Sequence, residues 1–310
     1  MLPPSQPDKR TSLMAVGRTH KLTKKRKIFI MKLLRYGTLG QEKPGLMDDE
    51  GNIRDLSAHI SDVNGDTLSD ASLAKLSGLN VADLPVVDGD PRIGACVGNV
   101  GKFICIGLNF ADHAKEAGLT PPSEPVVFMK NTSAICGPND DIKKPKGSTK
   151  LDWEVELALV IGKYVSYADE VEAADAIAGY CICNDVSERE FQLERSGQWD
   201  LGKGCDTFGP IGPWLVTKDE VEDDNNLTMK LDVNGTSRQN GNTKTMIFNP
   251  TFIVSFLSQY MSLQPGDVIS TGTPPGVGLG HKPPLYLNVG DTMSVTIDGL
   301  GVQNQTVVDA

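Results

Sequence analysis

The chain has 310 residues, of which 39% are hydrophobic and 23% charged, with 32 Gly and 19 Pro. That composition excludes collagen, long coiled coil and wholesale disorder, and no apolar run nears the ~18 residues of a membrane span, so a soluble, cytoplasmic protein is expected. The net charge of −10 at pH 7 makes a phosphate backbone a poor partner, and neither a nucleic-acid nor a membrane partner is expected.

The charge is unevenly placed. Residues 1–30 hold eight Lys and Arg and one acid, Asp8, a local +7 that leaves −17 on the remainder of a chain whose total is −10. Three readings of this stretch compete: a tail translated from a start upstream of Met31, a basic targeting segment, and a nucleic-acid arm. Residues 31–36 (MKLLRY) read as a strand, followed by turns around a short apolar strand. Leu68, Leu73 and Leu76 give helical spacing within 67–87. Residues 31–98 are therefore expected to form a small α+β domain. The Gly-rich stretch Ile93–Gly101 joins it to a larger domain, 99–310.

In the larger domain, strands are expected at Phe103–Leu108, Pro125–Met129, Trp153–Ile161, Tyr180–Cys183, Leu227–Val233, Val268–Thr271 and Met293–Ile297. Helices are expected at Asp169–Ala178 and Phe191–Arg195. Asn234-Gly235 and Asp298-Gly299 are hairpin turn signals. Strands outnumber helices and no βαβ alternation is sustained, which predicts a mostly antiparallel or mixed α+β fold. The run Gly276-Val-Gly278-Leu-Gly280-His281 fails as a dinucleotide loop because its last position is His. The six cysteines lack CxxC spacing and read as reduced, buried thiols. A zinc site on Cys181, Cys183 and Cys205 is the weaker alternative.

Three segments carry chemistry. In Leu151–Ile161, strand alternation puts Glu154 and Glu156 on one side, with Ala158 and Val160 following, and Val155, Leu157, Leu159 and Ile161 on the other. Two carboxylates on one buried face repel unless a cation joins them. In the second segment an apolar strand ends at Asp185, and Ser187 with Glu190 forms a capping-box pattern that predicts a helix start. Asp185 is then a third ligand, and Arg189 and Gln192 share a helix face. Three carboxylates suit Mg²⁺ or Mn²⁺ rather than zinc. In the third, His113 and Glu116 are i, i+3 neighbours, so Glu116 can orient His113 and raise its basicity.

These residues resemble the catalytic domain of the fumarylacetoacetate hydrolase family over residues 103–297. The matching motifs are Gly107-Leu-Asn109-Phe110 through His113 and Glu116, Phe128-Met-Lys130, Asp152-Trp-Glu154-Val-Glu156, Asn184-Asp185 with Arg189 and Gln192, Lys203 before Phe208-Gly-Pro210, and Thr271-Gly-Thr273-Pro-Pro-Gly276. The start, Met31–Leu56, resembles members linked to sugar-acid breakdown. The resemblance implies a mixed β-roll with a small N-terminal domain, a homodimer, and Mg²⁺ or Mn²⁺ on Glu154, Glu156 and Asp185. It implies that Arg189, Gln192 and Lys203 polarise substrate oxygens. It places Lys130, Thr273 and Asn109 in substrate binding, and His113 with Glu116 as a water-activating dyad on a lid.

The expected activity is hydrolysis of the C3–C4 bond of a 2,4-diketo acid of the acylpyruvate type, 2,4-diketo-3-deoxy sugar acids included, to pyruvate and a second carboxylic acid. An isomerase, decarboxylase or ureidoglycolate lyase using the same enolate chemistry is the alternative. A silent binding module for oxo acids is the reading from another class.

Overall fold

The computed structural model describes residues 31–116, 118 and 120–310; the basic stretch 1–30 lies outside the described residues. Strands β1 (Lys32–Tyr36), β2 (Lys43–Met47) and β3 (Ile53–Asp55) open the described chain. They are followed by β4 (Phe103–Gly107), β5 (Val126–Lys130), β6 (Ile135–Cys136), β7 (Ile142–Lys144), β8 (Leu151–Asp152) and β9 (Val155–Ile161). Next come β10 (Ile177–Asn184), β11 (Ser187–Glu188), β12 (Gly209–Thr217), β13 (Thr228–Val233) and β14 (Thr236–Asn242). The last are β15 (Val268–Ser270), β16 (Thr292–Ile297) and β17 (Gly301–Asp309). The helices are α1 (Asp70–Ser77), α2 (Ala111–Glu116), α3 (Glu170–Ala176), α4 (Arg189–Leu193), α5 (Asp200–Lys203) and α6 (Pro250–Ser258).

Strands β3-β2-β1-β12-β10-β9-β15-β4-β5 run in that order across one large mixed sheet, with β6 beside β12. A second sheet has the order β14-β13-β16-β17-β7. Most pairings are antiparallel; β15 with β4, β12 with β6 and β17 with β7 are parallel. This is the mixed, sheet-dominated α+β architecture that the strand-rich pattern predicts. Lys32 and Leu33 pair with Val216 and Leu215, so residues 31–98 lend three strands to a sheet shared with the rest of the chain.

β9 (VELALVI) is buried on both faces and lies at the centre. Leu157, Leu159 and Ile161 pack with Ile253, Val254 and Leu257 of α6 and with Met229, Leu231 and Val295 of the second sheet. Ala158 and Val160 pack the opposite way, with Phe103, Cys105, Cys181 and Cys183, under Val63, Leu68 and Leu84 of the N-terminal segment. Each such buried Leu or Ile side chain contributes roughly 1.5–3 kcal/mol. Burial of the central strands β9, β10 and β15 on both faces makes them read as apolar runs, and makes the few charges on them conspicuous. The hairpin signal at Asn234-Gly235 is realised: both residues have positive φ, 51° and 71°, between β13 and β14.

Three local expectations are corrected. The helical spacing of 67–87 yields only α1 and a short 3-10 turn at Val81–Asp83, because Gly78 ends the helix. The capping box at Ser187 does not form. Ser187 pairs with Asp152 in the β8–β11 ladder and its hydroxyl donates to the Asp185 carbonyl at 2.9 Å. Glu188 caps α4 instead, its carboxylate accepting from the Glu190 N–H. The strand expected from Trp153 starts at Val155.

Candidate active site

The three acids meet because of register. In the β9–β10 ladder Cys183 lies opposite Glu156 and Asn184 opposite Val155, and the Asp185 N–H donates to the Glu154 carbonyl at 2.9 Å. Residues opposite one another share a face, so Cys181, Cys183 and Asp185 lie on the face of Ala158, Glu156 and Glu154. One carboxylate oxygen from each of Glu154, Glu156 and Asp185 falls within 4.8 Å of the others, and all three residues are buried. Asn184 holds this corner: its Oδ1 accepts from the Glu154 N–H at 3.1 Å, and its amide donates to Gln305 Oε1.

Buried cations surround the acids. Lys203 Nζ donates to Glu154 Oε2 and Asp185 Oδ2, both at 2.7 Å, and sits 5.0 Å above the Phe128 ring. Arg189 donates from Nη2 to Glu154 Oε1 at 2.6 Å and from Nε to Asp152 Oδ2 at 2.7 Å. Lys130 donates to Asp185 Oδ1 and to the Val186 carbonyl. Among the described residues Glu156 has neutral donors alone, the Ser270 hydroxyl at 2.6 Å and the Gly272 N–H at 2.9 Å.

The two glutamates therefore diverge. Burial works to raise the Glu154 carboxyl, but Lys203 and Arg189 override it and hold the group well below the usual carboxylate range. Burial, then the charges of Asp185 and Glu154, push Glu156 well above it. By formal charge, four carboxylates (Asp152, Glu154, Glu156, Asp185) in this cluster face three cations (Lys130, Arg189, Lys203), an excess of one acid that the upward push on Glu156 relieves. A divalent oxygen-seeking cation fits that set: it relieves the crowding at Glu156 and turns the cluster net positive.

His113 and Glu116 face the same space. His113 Nδ1 lies 2.9 Å from Glu116 Oε2, as their i, i+3 spacing on α2 predicts, and Nε2 has no partner among the described residues. Glu116 also accepts from the Gly276 N–H at 3.0 Å. Fully buried Phe110 and Ala114 anchor the helix. A cavity of about 610 Å³ is lined by this dyad together with Glu154, Glu156, Arg189, Gln192, Lys203 and Thr273. Its remaining wall is largely apolar, including Leu108, Leu193, Trp199, Val277 and Leu279.

Asn109 and Lys130, expected in substrate binding, make contacts within the protein. Asn109 is fully buried and off the cavity wall; its amide donates to the Phe248 and Thr271 carbonyls and its Oδ1 accepts from the Phe248 N–H, so it ties two loops together. Lys130 is also absent from the wall, because it lies behind Asp185 with its ammonium engaged there. Thr273 does line the cavity, but its hydroxyl donates to the Val155 carbonyl and accepts from Gln239. Gln192 Oε1 is taken by Arg189 Nη1 at 3.0 Å.

Sequence reasoning passed over three contributors. Asp152 holds Arg189 and accepts from the Gly278 and Leu279 N–H groups at 2.6 and 2.9 Å; its place two residues before Glu154 was the available signal. Trp199 stands edge-on to Phe128, ring centroids 5.4 Å apart, and His281 lines the cavity. No sequence signal marked either. Cys181 and Cys183 are buried packing residues, as their strand context suggests, whereas Cys205 is only partly buried.

A two-layered mixed sheet enclosing a carboxylate cluster and a His–Glu pair in one cavity defines a class of enzyme with a carboxylate-rich site. The family model described as fumarylacetoacetate (FAA) hydrolase C-terminal matches residues 102–308, and the chain belongs to the fumarylacetoacetate hydrolase family. A Burkholderia ambifaria (strain MC40-6) protein named "Putative hydrolase" is 63% identical over 281 residues, covering 90% of this chain and all of that one. Among solved structures, a fumarylacetoacetate hydrolase from psychrophilic Exiguobacterium antarcticum is 34% identical with a TM-score of 0.80, covering 90% of this chain and 100% of its own. A 2-hydroxyhepta-2,4-diene-1,7-dioate isomerase from Mycobacterium marinum is 32% identical with a TM-score of 0.69, covering 90% and 98%.

Proposed function

We propose that the protein is a Mg²⁺- or Mn²⁺-dependent hydrolase that cleaves the C3–C4 bond of a 2,4-diketo acid to pyruvate and a second carboxylic acid. The observation that carries this reading is that the Glu154–Glu156–Asp185 cluster, through Glu154 and Glu156, meets the His113–Glu116 dyad on the wall of one cavity. Glu154, Glu156 and Asp185 would hold the metal ion, which when bound supplies a Lewis acid for the carboxylate and 2-oxo oxygens of the substrate.

The chain's own residues account for the rest. Neutral His113 accepts a proton from water at Nε2, and Glu116, at Nδ1, holds the ring and stabilises the imidazolium. The water oxygen adds to the C4 carbonyl, and Arg189 and Lys203 offset the negative charge that develops. The C3–C4 bond then breaks, its electron pair passing to C3 as the enolate of pyruvate. The proton held by His113 is the source for C3. The apolar wall keeps bulk water from competing with the one activated molecule.

A second reading, an isomerase using the same enolate chemistry, is favoured by the likeness to the Mycobacterium marinum protein. One experiment separates the two. Acylpyruvates are incubated with Mg²⁺ or Mn²⁺ in ¹⁸O-water, and pyruvate and the second acid are analysed. Pyruvate release with one ¹⁸O in the second acid supports the hydrolase; turnover without pyruvate favours the isomerase; full activity in excess EDTA sinks both metal readings.

A further inference from the structure

We propose that His281 is a specificity-determining residue that selects substrates bearing an oxygen, as hydroxyl or carboxylate, on the acyl part beyond the diketo head. This deepens the reading above and rests on it for the orientation of the substrate. His281 lines the cavity, yet neither ring nitrogen makes a hydrogen bond among the described residues, and Nε2 is shielded from solvent. In this orientation Nε2 is out of an occupant's reach as well as water's; once a turn about Cβ–Cγ presents a ring nitrogen to the cavity, an occupant able to supply the missing bond is favoured over one that cannot.

The ring is carried on a loop with little freedom. Gly276 has φ of +107° and donates its N–H to Glu116, while the Gly278 and Leu279 N–H groups are held by Asp152. Gly276 and Gly278 are needed for close approach to backbone, and Gly280 lies against a side chain. A Cβ on Gly276 would stand 2.0 Å from the Arg238 carbonyl oxygen, one on Gly278 2.1 Å from that of Leu285, and one on Gly280 2.9 Å from the Glu116 carboxyl carbon. The Gly276–Gly280 run that fails as a nucleotide loop thus cradles two of the protein's own carboxylates. It sets His281 beside Trp153, ring centroids 6.4 Å apart.

The direction of selection follows from the walls. The carboxylates and their cations occupy one end and would take the diketo head. Near His281 the lining is Val277, Leu279 and Pro284, with Lys282 the other polar residue of that stretch. An alkyl tail satisfies the apolar residues but leaves the imidazole unpaired. A tail ending in a hydroxyl or carboxylate pairs with whichever nitrogen a rotation about Cβ–Cγ presents, since imidazole both donates and accepts.

The test uses binding, so it stands apart from turnover. Affinities of the Mg²⁺-loaded protein for 2-oxohexanoate, 6-hydroxy-2-oxohexanoate and 2-oxoadipate are measured by calorimetry in the parent, His281→Leu and His281→Gln. The expected result is a preference of roughly tenfold or more for an oxygen-bearing tail in the parent, lost in His281→Leu and largely restored in His281→Gln, with 2-oxohexanoate changed less than threefold, the scale of one neutral hydrogen bond to a substrate group. The ratio of the hydroxyl to the carboxylate ligand tells which oxygen is read. Equal affinities for all three ligands in the parent overturn the proposal, as does an equal loss for all three in His281→Leu. Selective binding without any C–C cleavage would support His281 and remove the hydrolase reading; failure of every 2-oxo acid to bind would remove both.

Discussion

Asp185 and Glu154 are held together twice: the Asp185 N–H donates to the Glu154 carbonyl at 2.9 Å, and Lys203 bridges their carboxylates at 2.7 Å to each. The backbone contact continues the β9–β10 ladder, so the spacing of these two acids is a property of the sheet. Glu156, one pleat further along, has no cation of its own and depends on the pair for its environment.

Glu156→Gln should abolish turnover and weaken Mg²⁺ binding at least tenfold while leaving the metal-free fold intact. The amide oxygen can still accept from Ser270 and Gly272, and one like charge is removed from the cluster. Calorimetric metal titration with a melting curve checks it. A marked fall in the metal-free melting temperature would contradict the electrostatic account.

His113→Asn should lower C–C cleavage by roughly 10²–10⁴-fold, the usual contribution of a positioned base. Oxalate, a mimic of the pyruvate enolate, should bind the metal-loaded variant as it binds the parent, because the acid cluster is untouched. Cleavage surviving within tenfold of the parent would remove His113 as the base.

The His113–Glu116 pair should also leave a mark on acid stability. Burial works to raise the Glu116 carboxyl, but the hydrogen bond and charge of His113 and the Gly276 N–H hold it below its ordinary value. A carboxyl depressed in the folded state contributes stability that is present above the unfolded value, near pH ~4.3, and is lost as pH falls through the folded one. Glu116→Gln should therefore be less stable than the parent at pH 7, with the two converging in acid. Parallel stability curves across that range would show that the pair is not coupled.

Asp152→Asn tests the support behind the site. The carboxylate is fully buried, pairs with Arg189 and accepts from Gly278 and Leu279. Breaking such a buried pair from one side costs roughly 3–5 kcal/mol. Denaturant titration should show a loss of that order, accompanied by reduced activity. A loss below about 1 kcal/mol would mean that Arg189 finds another anion.

Much of this architecture is local and therefore legible. Extended-chain alternation from Glu154 into β9 places Glu154 and Glu156 on one side, and that side is continued by Ala158 and Val160, which marks it as buried. The Asn234-Gly235 turn and the i, i+3 spacing of His113 and Glu116 are likewise short-range, and the structure realises both. The cap of α4 was misassigned because Ser187, though the right residue type, is taken up by a strand pairing with Asp152 that lies 35 positions away in the chain.

By itself, then, the sequence determined which side chains share a strand face or helix turn, since pleat and helix periods repeat every few residues whatever surrounds them. The tertiary structure decided what those side chains do. The β9–β10 register brings Asp185 to Glu154; the packing of α5 delivers Lys203 between them; Lys130 and Asn109, polar residues of the same motifs, find their hydrogen-bond partners on distant strands and loops. Register, burial and the pairing of charges depend on contacts far apart in the chain, and no local pattern encodes which of two polar residues will line a cavity and which will stand behind it.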